Sequence, residues 1–166
     1  MGRAGHLRQA FLVAALFASS GAAQDLAKLR QQLARANDPA DRATLTVKIG
    51  EALLNQAAKM YAEGAYTDGD LLLAEYMGAV RAAHLSLRQS GRDARRRPKG
   101  FKQLEIHLRK SRRRLADLAR SLPYSNRPPA EEARAEMEAM RLELLGALMK
   151  VDLEPNSQER EKKQQP

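Results

Sequence analysis

The sequence predicts an all-α fold, an antiparallel helical bundle or a short helical-hairpin stack of about five helices. Three observations predict it. Ala, Leu, Arg, Lys, Gln and Glu, all good helix formers, are abundant among the 166 residues. Apolar residues recur three and four apart through most of the chain. Prolines fall between these runs rather than inside them. The length suits a single domain. Aromatic residues are 4% of the chain and Trp is absent, so the core must come from Leu, Ala, Met, Ile and Val.

The first 23 residues read as an address. Arg3 and Arg8 precede the unbroken apolar run AFLVAALFA, and Ser19-Ser20-Gly21-Ala22-Ala23 follows with the small side chains a peptidase cleft accepts. We expect a signal peptide over 1–23, cut after Ala23, and export to the bacterial periplasm. Retention of the leader as an anchor is the alternative, although the run is about half the ~20 residues a spanning helix needs. No transmembrane helix is expected in the mature chain. A helical domain is expected over 24–153. Residues 154–166 contain no apolar side chain, and we expect a disordered polar tail there.

The helices follow in order. Leu26, Leu29 and Leu33 give a narrow stripe over Asp25 to Ala36. Asp38 suits an N-cap, Pro39 the first helical position and Asp41 the positive end of the dipole, which starts a second helix from Pro39 to Glu63. Leu45, Ile49, Leu53, Ala57 and Met60 line one of its sides; Val47, Leu54, Ala58 and Tyr61 widen it. Gly64 should stop it. A third helix from about Thr67 to Gly91 carries Leu73, Met77, Val80, His84 and Leu87, with Leu72, Tyr76, Ala79 and Ala83 alongside. Asp68-Gly69-Asp70 reads as capping acid at its start. The short loop between helices two and three implies an antiparallel hairpin. After the basic connector Arg92 to Gly100, the fourth helix alternates three and four without error: Phe101, Leu104, Leu108, Ser111, Leu115, Leu118, Leu122. That is a heptad seam with one polar interruption, and it could pair within the chain or between two copies, so a homo-oligomer is possible. Pro128-Pro129 opens a last helix to about Val151, with acid at Glu131, Glu132 and Glu136 and a stripe of Ala133, Met137, Met140, Leu144, Leu148 and Val151.

Ala57, Tyr61, Gly64, Tyr66 and Gly69 fall at the spacing of a small residue, an aromatic, a glycine turn and a second aromatic. On those residues the segment from about 50 to 77 resembles a tetratricopeptide-like helical hairpin. Gln56 and Tyr76 depart from the pattern, and no second copy follows at 34 residues. The resemblance implies a protein-interaction role and supplies no catalytic residue.

The net charge is +9, with a pI near 10.2. It is concentrated: Arg88 to Arg120 holds 13 Lys and Arg against three acids. Two clusters carry it, Arg95-Arg96-Arg97-Pro98-Lys99 and Arg109-Lys110-Ser111-Arg112-Arg113-Arg114. Arginine forks bind phosphate and carboxylate bidentately. The candidate anion- or partner-binding residues are Arg95, Arg96, Arg97, Lys99, Arg109, Arg112 and Arg113. The competing reading is a solvated helix face balanced by Glu131, Glu132, Glu136, Glu138 and Glu143. Nucleic acid is disfavoured, because stacking aromatics are missing from the patch apart from Phe101.

Nothing in the pattern points to catalysis. With no Cys, thiolate chemistry, disulfides and thiolate metal sites are excluded. Metal-ligand spacings, nucleophile elbows and phosphate-cradling glycine loops do not occur. We expect no cofactor, no metal and no enzymatic activity. His84 falls on an apolar stripe and should be a buried structural residue; His107, off the seam, should lie at the surface. Met137, Met140 and Met149 read as core filler rather than a methionine groove. The function expected is that of an exported, non-enzymatic binding, scaffold or adaptor protein of the cell envelope, with the arginine patch facing an acidic protein partner. The alternative is peripheral attachment to anionic membrane lipid or lipopolysaccharide; an enzyme or metal protein ranks below both.

Overall fold

The structure is a computed structural model that describes residues 24–149. The expected signal peptide and polar tail, and Val151, lie outside the described residues. Those described form five helices and a single 3-10 turn. Residues 24–35 are α1. It is followed by α2 (Pro39–Ala62), α3 (Tyr66–Gln89), α4 (Phe101–Ser121) and α5 (Pro128–Met149), with the 3-10 turn at Tyr124–Asn126.

Local chemistry sets the boundaries. The Asp38 carboxylate accepts from the amides of Ala40 at 2.8 Å and Asp41 at 3.1 Å, so α2 is capped as its sequence promises. Gly64 follows the end of α2 at φ +77°, a conformation that costs a side-chain-bearing residue energy. The start of α3 differs from expectation. Ala65 holds the cap position without a side-chain hydrogen bond, and Asp68 only occupies the first turn. Asp70 serves the preceding helix instead, accepting from the Tyr61 hydroxyl at 2.6 Å. The Tyr61 ring lies against Gly69, where a Cβ would come within 2.8 Å of it.

The helices form two antiparallel hairpins, α2–α3 and α4–α5, stacked side by side. α2 lies along α4 in the same direction. Residues 40, 50 and 55 of α2 meet 100, 107 and 114 of the second hairpin in step. α3 likewise runs alongside α5, where Arg81 pairs with Glu136 and Arg88 with Glu143. α3 and α4 barely touch. The connector between them therefore crosses the diagonal of the four-helix array. It crosses at the end where α2 begins, and charge fastens it there. Arg92 pairs with Asp38, and Lys99 Nζ lies 2.8 Å from Asp41. Gly100 closes the crossing at φ +89°; a Cβ there would meet the Ala40 backbone at 2.7 Å.

The leucine rows are buried as their spacing predicts. Leu73, Met77, Val80, His84 and Leu87 of α3 all face inward. So do Phe101, Leu104, Leu108, Ser111 and Leu115 of α4, and Ala133, Met137, Met140 and Leu144 of α5. The α4 seam packs within the chain. α1 lies on the first hairpin through Leu26, Leu29 and Leu33, with Arg30 paired to Glu75. Arg42 donates to the carbonyls of Leu33 and Ala36, satisfying the end of α1 from the next helix. No described helix is long and apolar enough to cross a membrane.

Candidate functional site

Two features of the structure carry polar chemistry. One is buried at the centre, the other runs along the outside of the second hairpin.

At the centre, each of the four stacked helices contributes to a single contact, α4 with two residues and the others with one. Tyr76 of α3 is fully buried, and its hydroxyl lies 3.0 Å from His107 Nε2 of α4 and 4.0 Å from Met137 Sδ of α5. Ser111 Oγ lies 3.5 Å from the same His107 nitrogen. Gly50 of α2 provides the room: a Cβ there would come within 2.7 Å of the Tyr76 ring. His107 is 4% exposed, which corrects the expectation that it lies at the surface. The polar side of α4 turns inward at this point because Tyr76 offers it a hydrogen bond. Ser111, the apparent break in the seam, is the residue that fits beside this imidazole. Burial pushes the His107 pKa down to about 4, assisted by the positive charges of Arg114 and Lys110. The ring is therefore neutral at pH 7. With its proton on Nδ1, Nε2 accepts from the Tyr76 hydroxyl. Burial also pushes the Tyr76 hydroxyl pKa upward, so it stays a donor. A tyrosine, a histidine and a serine in contact invite a catalytic reading. Their side chains are closed off from solvent, none more than 4% exposed.

His84 is buried as expected, its Nε2 3.5 Å from Glu143 without forming a hydrogen bond. Desolvation lowers its pKa, against the pull of Glu143. Met137 and Met140 are core residues, while Met149 is exposed. Among the described residues no three His, Asp or Glu side chains gather closely enough to hold a metal ion.

Outside, the two basic clusters sit on different elements. Arg95, Arg96, Arg97 and Lys99 are exposed on the diagonal connector. Within it, Arg95 and Arg96 lie 3.8 and 3.6 Å from Asp93, and Lys99 is held by Asp41. Arg97 has no carboxylate partner among the described residues. On α4 the charges divide by face. Arg114 turns toward α2 and donates to Asn55 at 2.6 Å. Arg112 turns toward α5, with Nε 3.3 Å from Glu138 at an angle that makes an ion pair but no hydrogen bond. It ends a chain across the hairpin: Arg141 pairs with Glu105 at 3.0 Å and with Glu138 at 3.1 Å. The acidic last helix is thus largely neutralised by arginines of α3 and by its own Arg141, not by the outer face of α4.

That outer face is left charged. Lys102, Arg109, Arg113 and Arg120 lie 7, 4 and 7 residues apart on α4, a spacing that keeps all four on one side of the helix. The row spans about 27 Å at 1.5 Å per residue. Lys102, Arg109 and Arg113 have no carboxylate partner among the described residues; Arg120 pairs with Asp117. Beside the row, a groove of about 410 Å³ opens between α4 and α5, lined by Arg112, Arg113, Ala116, Arg134, Ala135 and Glu138. Toward the Pro123 turn, a recess of about 110 Å³ brings in Arg120, Arg127 and Glu131. Arg120, Arg127 and Arg134 are absent from the two sequence clusters because each stands alone among other residues. The signal that would have found them is symmetry: Arg127 and Arg134 fold back beside α4, toward Arg120 and Arg113, about the turn at Pro123. Comparison with family models, curated proteins and solved structures finds no match.

Proposed function

We propose that this protein is a non-enzymatic helical scaffold or adaptor, exported to the cell envelope, that binds an acidic protein partner through the outer face of α4. The observation that carries this reading is the row of Lys102, Arg109 and Arg113, left without carboxylates while most acids of α5 are paired. Unpaired arginines gathered on a rigid helix favour an external anion, because the ordering of the frame has already occurred on folding. The leader supports export: two arginines, nine apolar residues and a small-residue site stand in that order.

Two measurements test it. Replacing Lys102, Arg109 and Arg113 with Glu should abolish salt-sensitive capture of a partner from envelope extract. Undiminished capture would reject the α4 face. The mature protein should begin at Gln24 in a periplasmic fraction; an intact leader in the cytosol would reject export. Flotation of the triple variant and the parent with acidic vesicles separates protein from lipid, since the reading requires a protein partner for attachment.

A further inference from the structure

The groove between α4 and α5 has a geometry of its own. Arg113 and Arg120 stand seven residues apart on α4, and Arg127 and Arg134 stand seven apart on and just before α5. The chain turns back between them at Pro123. Arg120 and Arg127 therefore both line the recess near the turn, Arg120 beside Asp117 and Arg127 with Nε donating to the Leu122 carbonyl at 3.0 Å, and Arg113 and Arg134 line the main groove. The result is two arginine rungs about 10.5 Å apart along the hairpin, or two helical turns. The floor of the main groove is Ala116, between the rungs, and Ala135, next to Arg134, and neither holds anything beyond a Cβ. Glu131 and Glu138 are the acids that line groove and recess against five arginines; Glu138 is already shared by Arg112 and Arg141, and Asp117 pairs with Arg120 from beside the recess.

We infer that this groove seats an acidic helix of a partner protein, with carboxylates seven residues apart on one face, each received by one arginine rung. The inference rests on the proposed function and specifies where and how the partner sits. Seven residues is two turns, so carboxylates at i and i+7 rise by the same ~10.5 Å that separates the rungs. The alanine floor lets a helix backbone come close, in the way an apolar groove takes a helix ridge. Opposed guanidiniums repel one another until an anion lies between them, and a carboxylate accepts from both. A membrane surface is flat and does not follow a furrow between two helices.

The test uses two synthetic helical peptides of equal length and composition. One places Glu seven residues apart on one face; the other spaces the same Glu five apart, around the helix. The heptad peptide should bind the protein, with chemical-shift changes in residues 112–138. Replacing Arg113 and Arg134 with Ala, or filling the floor with Ala135→Trp, should weaken that binding about tenfold, whereas Lys28→Ala with Lys48→Ala, on the exposed sides of α1 and α2, should change it by less than about twofold. Circular dichroism checks that each variant retains its helices. Equal binding of both peptides, no binding of the heptad peptide, or loss only in the Lys28 and Lys48 variant overturns the groove. If envelope capture still depends on the α4 charges in that event, the function stands without it. Vesicle binding lost in the rung variant, without peptide binding, overturns the helix in favour of lipid. Failure of both capture and peptide binding ends both readings.

Discussion

Gly50 and Gly78 are both glycines in helix interiors, where Ala is ordinarily favoured by roughly 0.5–1 kcal/mol. Their surroundings give opposite expectations. A Cβ on Gly78 meets nothing within 4 Å, so Gly78→Ala should stabilise the protein by about that amount in urea unfolding. A Cβ on Gly50 would press on the Tyr76 ring at 2.7 Å and on His107 at 3.1 Å. Gly50→Ala should therefore destabilise by about 1–3 kcal/mol, the ordinary cost of overpacking, despite its better propensity. His107 adds a pH dependence. Its pKa is about 4 in the folded protein and near 6.5 when exposed, so between those values the unfolded chain binds more protons. Stability is complete above about pH 6.5 and is lost as pH falls toward 4, by up to about 3 kcal/mol. His84, also lowered by burial, acts in the same direction. Urea midpoints at pH 7.5 and 4.5 should differ strongly in the parent and less in His107→Gln; equal shifts in both would remove His107 as the cause.

At the scale of elements, the connector is the part most dependent on particular residues. It spans a diagonal rather than a neighbouring pair, and its course is fixed by Arg92 on Asp38, Lys99 on Asp41 and the left-handed turn at Gly100. Gly100→Ala combines a strained φ with a close approach to the Ala40 backbone and should cost at least about 1–3 kcal/mol. Asp38 both caps α2 and receives Arg92, so Asp38→Ala should lower the melting temperature more than Asp41→Ala does. The helices themselves were legible. Period, proline punctuation and the cap at Asp38 place every helix end among the described residues within about two positions, the spread normal for such ends. The connector path was not legible. Amphipathic stripes say which face of a helix is buried and not what buries it, so neither the α2–α4 pairing nor the crossing could be read from spacing. His107 was misplaced for the same reason. Its position off the leucine row hid a hydrogen-bond partner 31 residues earlier in the chain.

Across the whole molecule, charge was legible as an amount and only in part as a place. Runs such as Arg95-Arg96-Arg97 draw attention by adjacency, yet adjacent residues on a helix point in different directions. Folding returns Arg95, Arg96 and Lys99 to nearby carboxylates and joins Arg113 to Arg134, 21 residues distant. An interaction that depends on the surviving charges should weaken as salt rises, whereas the fold, held chiefly by its leucine rows, should not. A salt titration that reads both by circular dichroism and by capture would separate them. The contact around Tyr76 bears on uniqueness. Two leucine-lined hairpins have several ways to lie against each other, shifted by a turn, with similar apolar burial. Only one of those alignments gives a buried phenol its acceptor, because a displaced one strands the hydroxyl in hydrocarbon. Tyr76 thus acts as a peg between the halves. Replacing Tyr76 with Phe and His107 with Leu together should keep the helices but multiply the amide resonances, as the halves settle in more than one alignment.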